Sequence, residues 1–351
     1  MRFSTILTII FSLCLCLVSC KNDSGDDESM EPIGPAEDFY KIVIQDEFTT
    51  PPSQVSVFYR VENSLGEPIA DLLPEDFTIY EQGRNDDDYK VISSDEGERV
   101  ITDNELIFRY NVMLLLDLSA SVTNNHLLEI KEAASKFIQS VIGQGVNSST
   151  RIGIFWFDGE ENLHQLIDFT NNYNELQDAV DDITSGISQD ASTNLFGAII
   201  NGTEFISSRI NQDNLTDYLS SGAIITFTDG TDQAGIVSKT DAYAIVDSFK
   251  NKINYYTIGL GSEIDETVLN SIGPKKFISA ENGEDLNASF TEISELIYNE
   301  VNSFYLFEYC TPKRDGSGLN NLKIKLEREE GVGDEETNFD ATGFRAGCQL
   351  N

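Results

Sequence analysis

Asp117-Leu-Ser119-Ala-Ser121 stands at the carboxyl end of the apolar run Val112-Met-Leu-Leu-Leu116, and Asp229 ends the stretch Thr226-Phe-Thr-Asp229. Between them, Ser192-Thr193-Asn-Leu-Phe-Gly-Ala opens a predicted helix, so Thr193 offers its hydroxyl from the same end of the elements. Two carboxylates and three hydroxyls are hard oxygen donors without sulfur or imidazole. Such a set suits Mg2+, Mn2+ or Ca2+ rather than zinc or copper. Two carboxylates held close also repel each other unless a cation lies between them. A DxSxS spacing alone is weak. Its position gives it weight, because open parallel sheets bind ligands outside the carboxyl ends of their strands. The competing use of these residues is local, with Asp117 and Ser121 capping the helix that follows and Thr193 capping its own.

The elements that must position these groups alternate from Asn111 to about Val301, which implies parallel strands joined by helical crossovers. The run 112–116 reads as a strand buried on both faces. Further strands are predicted at 151–157, 223–228, 253–258 and 276–279. Leu127, Ile130, Ala134, Phe137, Ile138 and Val141 share one helical face, and helices are predicted over 173–183, 195–209, 241–250 and 283–299. Residues 39–108 are instead period-two and β-rich, as in Gln54-Val-Ser-Val-Phe-Tyr-Arg-Val. β patterning returns over 302–351, at 304–309, 322–326 and a short stretch near Phe344. Strands without partners of their own need a sheet to join. The expectation is that they complete the N-terminal module, with a separate C-terminal appendage as the alternative.

DxSxS, a distant Thr and a Thr-Asp-Gly aspartate, in that order, resemble the metal-ion-dependent adhesion site of von Willebrand factor A (vWA) domains. Tyr256-Thr-Ile-Gly259-Leu-Gly261-Ser-Glu-Ile-Asp265, Leu269 and Phe277-Ile-Ser-Ala280 resemble the family's late strand and the approach to its last helix. The likeness covers about residues 109–300. It implies an α/β fold, a Rossmann-like, mostly parallel sheet flanked by helices, here inserted in or appended to a β-sandwich module. The phrase from Gly66 to Gly83 resembles the small sandwich that often precedes such domains in bacterial secreted proteins. The resemblance further implies that Ser119 and Ser121 bind the metal directly and Thr193 directly or through water. Asp117 and Asp229 would act mostly through water, and one open position would accept a carboxylate from a protein partner. Ala191-Ser192 departs from the family, many of whose members have glycines there.

The sequence carries 23 Lys+Arg against 60 Asp+Glu, a formal charge of −37, which speaks against nucleic acid as a partner and against charge-driven binding to an acidic membrane. Arg2 precedes an apolar stretch, Ile6 to Val18, of signal-peptide length. Leu17-Val18-Ser19-Cys20 resembles the lipobox of bacterial lipoproteins, so residues 1–19 are expected to be a signal peptide and Cys20 a lipidated, membrane-anchoring residue. The alternative is an ordinary secretory signal. Residues 20–38 read as an acidic flexible tether. Lys21 with its following acids also looks like the surface-export signal of Bacteroidetes-type lipoproteins, or is merely a soluble spacer. Cys310 and Cys348 remain as a pair, either disulfide-bonded in an oxidising location or two free buried thiols. Asp158-Gly159-Glu160-Glu161 reads as a solvated loop, and His126 and His164 as surface or rim residues.

The functional expectation is a non-enzymatic, lipid-anchored protein of a bacterial envelope, on the outer membrane or displayed at the surface, that binds protein partners through a divalent cation. The alternative is an envelope scaffold or assembly subunit in which a metal only stabilises the fold. Metal-dependent hydrolysis is disfavoured, because no general base besides the ligands is apparent.

Overall fold

With no polar side to turn toward water, the run Val112–Leu116 has to lie inside a sheet covered on both faces. The computed structural model describes residues 39–92, 99–102, 108–143, 149–216, 218–312 and 318–350. The signal segment, Cys20 and the tether lie outside the described residues. In chain order, β1 (Tyr40–Thr50), β2 (Gln54–Asn63), β3 (Phe77–Gln82), β4 (Lys90–Val91) and β5 (Arg99–Thr102) precede β6 (Phe108–Asp117). There follow α1 (Ala120–Val141), β7 (Thr150–Phe157), β8 (His164–Thr170), α2 (Tyr173–Asp181), α3 (Leu195–Asn214) and β9 (Leu219–Thr228). Next come α4 (Lys239–Phe249), β10 (Ile253–Leu260), α5 (Glu266–Ile272), β11 (Lys276–Ala280) and α6 (Gly283–Val301). The last strands are β12 (Phe304–Cys310), β13 (Leu319–Arg328) and β14 (Gly331–Asp340).

β6 is an inner strand of a six-stranded sheet of order β11-β10-β9-β6-β7-β8, parallel except for β8. Alternation sends Val112, Leu114 and Leu116 to one face, among Ile130 and Phe137 of α1 and Phe290 and Ile297 of α6. Met113 and Leu115 face the other way, among Ile199 and Ile206 of α3 and Val246 of α4. Each fully buried Leu contributes roughly 1.5–3 kcal/mol, so β6 is fixed on both sides and its carboxyl end is a rigid platform.

Two four-stranded antiparallel sheets, β1-β2-β12-β5 and β14-β13-β3-β4, share a second core that includes Tyr59, Phe77, Tyr305 and Ile324. β12 lies between β2 and β5, with Leu306 opposite Phe58 and Thr102, and β13 lies between β14 and β3, with Ile324 opposite Glu335 and Ile79. Strands from both ends of the described chain therefore share both sheets. Cys310 and Cys348 are joined by a disulfide, with Cα atoms 5.7 Å apart. Where this core meets the parallel sheet, Phe304 stacks on Phe108 at 4.6 Å, and Glu300 at the end of α6 accepts a 2.8 Å bond from Arg60 of β2.

Three differences from the sequence reading have physical causes. α1 starts at Ala120 rather than near Leu127, because its first turns are polar and carry no apolar period; it bends at His126, where φ is −132° and ψ is 15°. β8 was not signalled, being a half-buried edge strand with mixed polarity. The last strand is Gly331–Asp340 rather than a stretch near Phe344. It is an edge strand held by its ladder to β13, so few of its side chains need to be apolar, and Phe344 packs beside Phe339 instead.

Candidate metal centre

Asp117, the last residue of β6, is 0% exposed, and its carboxylate is the hub of the rim. The Ser119 amide donates to Oδ1 at 3.1 Å, while Thr228 and Thr193 donate their hydroxyls to Oδ2 at 2.7 and 3.3 Å. Ser119 and Ser121 lie side by side with their Oγ atoms 3.0 Å apart. Asp229 follows directly on β9, the neighbour of β6, close enough for its charge to bear on Asp117. Asp117, Ser119, Ser121, Thr193 and Asp229, separated by up to a hundred and more positions in the chain, thus meet at one rim.

The loops are knitted by backbone bonds rather than left to side chains. Ala120 N donates to Asp190 O at 2.7 Å, Asn194 N to Asp158 O at 2.8 Å, and Gln233 N to Thr193 O at 2.8 Å. Helix capping does not consume the hydroxyls. The N-cap of α1 is Ser119, yet its side chain accepts no cap bond, and α3 is capped by Asn194, whose side chain accepts from the Gly197 amide. The three hydroxyls instead bond within the rim, Thr193 to Asp117 and Ser119 and Ser121 to each other.

Burial pushes the Asp117 carboxyl up to about 6; the bonds from Thr228 and Ser119 oppose the rise, and the charge of Asp229 adds to it. Asp229 is also pushed up to about 6, by burial and then by the charge of Glu263. Among the described residues neither carboxylate has a salt-bridge partner. Asp117 is thus surrounded by hydroxyl and amide donors with a second acid nearby, and Asp229 by a further acid, Glu263. The donors are all oxygen, so they fit a hard divalent ion. When bound, such an ion supplies a Lewis-acidic point for an outside oxygen. The chain's own part is to hold the hydroxyls in place and keep the charge below them dry.

Thr228, the last residue of β9, is a member of the site that the donor spacing in the sequence does not single out. The available signal was the pleat, which sets Thr228 beside the end of β6 as an inner-strand neighbour. Asp158, read from sequence as part of a solvated loop, is in fact buried.

The sequence model of the von Willebrand factor type A domain matches residues 111–295. No curated protein matches the chain. Among solved structures, proximal thread matrix protein 1 from the mussel byssus, described with a zinc-occupied MIDAS motif, is 13% identical over 55% of this chain and 48% of that one, with a TM-score of 0.44. This chain spans about half the length of the mussel protein. Manganese-loaded TRAP protein from Plasmodium vivax is 14% identical over 70% of this chain and 98% of that one, with a TM-score of 0.45. The vWF domain of the type V pili tip protein Mfa5 from Porphyromonas gingivalis is 14% identical over 54% of this chain and 95% of that one, with a TM-score of 0.42.

Proposed function

Because the chain belongs to the von Willebrand factor type A domain family, we propose that it is a non-enzymatic protein-binding module whose partner offers a carboxylate to a divalent cation, Mg2+ in the first place, held at the rim. The observation that carries this reading is the buried Asp117, which gathers the hydroxyls of Thr228, Thr193 and Ser119 and lies near a second carboxylate but, among the described residues, pairs with no basic side chain. Hydroxyl ligands leave an ion less neutralised than carboxylates would, so it retains appetite for an outside oxygen. That is the physical sense of the donor choice. Two histidines in 351 residues are in keeping with binding rather than general acid–base chemistry.

The proposal extends to place. Cys20 anchors the chain by lipid to a bacterial envelope membrane, on the outer membrane and displayed at the surface, at the start of the tether 20–38. The support is the sequence at Leu17–Cys20 and the acidic, apolar-poor stretch after it.

Calorimetric titration of Mg2+ into the full chain tests the site. One equivalent is expected for the wild type and none for Asp117→Ala; undiminished binding by the variant overturns the assignment. Partner capture from cells with Mg2+ and with EDTA then separates adhesion from scaffolding. Loss of capture on chelation supports the first, and capture that persists while only the melting temperature falls supports the second. Incorporation of labelled fatty acid, abolished in Cys20→Ser, tests the anchor.

A further inference from the structure

The turn after β7 and the start of β8 bring together three side chains of types that can bind a metal, outside the site above. Trp156 lies opposite His164 across the two strands, and their rings stack with centroids 4.0 Å apart and planes 14° from parallel. Continuing the pleat puts Asp158 on the same side as Trp156, and Glu160 turns back to the same point. One ligand atom from each of Asp158, Glu160 and His164 lies within 4.8 Å of the other two. They line an open cavity of about 690 Å³ that also touches Ser188 and Asp190.

The arrangement is built rather than incidental. Asp158 is 3% exposed and is aimed by two bonds, from Ser188 Oγ to Oδ2 at 2.5 Å and from the Glu160 amide to Oδ1 at 2.9 Å. Each carboxylate oxygen keeps a further lone pair. The His164 ring is held by Trp156; its Nε2 is shut off from water, has no hydrogen-bond partner among the described residues, and faces Glu160 Oε2 at 3.5 Å. A ring nitrogen enclosed in this way costs free energy until something binds it. The donor set also differs in kind from the rim site. One imidazole with two carboxylates suits a borderline cation, with a coordination position left open, where the all-oxygen rim suits a hard one.

We propose that Asp158, Glu160 and His164 form a second divalent-cation site, selective for a Zn2+-like ion. It stands immediately behind the loop that presents Thr193, since Asp158 O accepts the Asn194 amide and Gly159 lies against Asp190 and Ser192. The proposal does not depend on the rim site.

Zn2+ titrated calorimetrically into the full chain, with Mg2+ in excess to fill the rim, tests it. The expected result is an equivalent of Zn2+ whose affinity falls at least tenfold in both His164→Ala and Glu160→Gln and is unchanged in Asp117→Ala. Comparison within one background cancels Zn2+ held elsewhere, including by the N-terminal cysteines. No Zn2+ bound by the wild type, or binding left intact by either variant, overturns the proposal and leaves a plain Glu160–His164 ion pair. Should His164→Ala fail to fold, Glu160→Gln decides alone, because that side chain is 61% exposed and carries little of the packing.

Discussion

Asp117 and Asp213 are both buried aspartates of the α/β domain, at 0% and 3% exposure, yet they are solvated in opposite ways. Asp213, near the end of α3, meets the starting ends of β6 and β7. There it pairs with Arg109 at 2.9 Å and with Arg151, and accepts from Asn111 and Ser220 at 2.9 and 3.1 Å. Burial pushes its carboxyl up, but the bonds from Asn111 and Arg109 and the charge of Arg151 outweigh this and hold it below the ordinary range. Asp117, at the carboxyl ends of the same strands, has hydroxyls and amides and a neighbouring acid, and sits at about 6. One end of the sheet is neutralised by arginines, and at the other, among the described residues, no basic side chain pairs with the acid. Burial of an acid is therefore no guide to its role; its counter-charge is.

Breaking the neutralised end should have the largest effect. Asp213→Ala leaves two part-buried arginines without their carboxylate and is expected to cost about 3–5 kcal/mol in denaturant unfolding, with Mg2+ affinity unchanged in the fraction still folded. The matching change at the other end should have the reverse sign. Asp117→Asn removes a buried charge, and the Thr228 and Thr193 hydroxyls can turn to accept from the new amide. In EDTA at pH 7 the variant should melt at or above wild type while losing Mg2+ binding. A drop comparable to that of Asp213→Ala would erase the contrast.

The pH dependence sharpens it further. A folded-state carboxyl raised to about 6 is neutral where the unfolded chain is already ionised, so its ionisation costs the metal-free fold stability that is lost as pH rises from about 4 through 6. For Asp117 the loss is about 3 kcal/mol above that window, and Mg2+ should abolish it. Asp213 contributes in the opposite direction, with stability present above the usual carboxylate range and lost only as pH falls through its lowered value. The measurement is the stability difference between wild type and Asp117→Asn across pH 4–7, with and without Mg2+. A difference that stays flat in EDTA would refute the assignment of that cost to Asp117. The smallest effect is expected from Gly159→Ala. A methyl there collides with Ser192 and Asp190, displaces the Thr193 loop, and should weaken Mg2+ binding severalfold at a cost of about 1–3 kcal/mol in stability. Unaltered affinity would mean that the loop yields without moving Thr193.

The α/β fold was legible from the continuous apolar run of β6 and the regular return of helical periodicity. Both follow from burying a parallel strand on two faces and a helix on one, which leaves a period in the residues themselves. The ordered Asp117, Ser119, Ser121, Thr193 and Asp229 were legible as oxygen donors that converge at one rim for a related reason: strand ends are where such folds put their chemistry, and residue types state their donor atoms. What left no such trace was pairing. β8 and β14 are edge strands held by backbone ladders, and a peptide group is the same whatever side chain it carries. Likewise, Asp158 looked like any acidic loop residue until the fold closed Ser188 over it and stacked Trp156 on His164 beside it. Sequence determined which oxygen and nitrogen donors this protein carries. Only the tertiary structure decided which acids received an arginine and which were left with hydroxyls, because charge compensation depends on what packs across a few ångströms of space, whatever the distance along the chain.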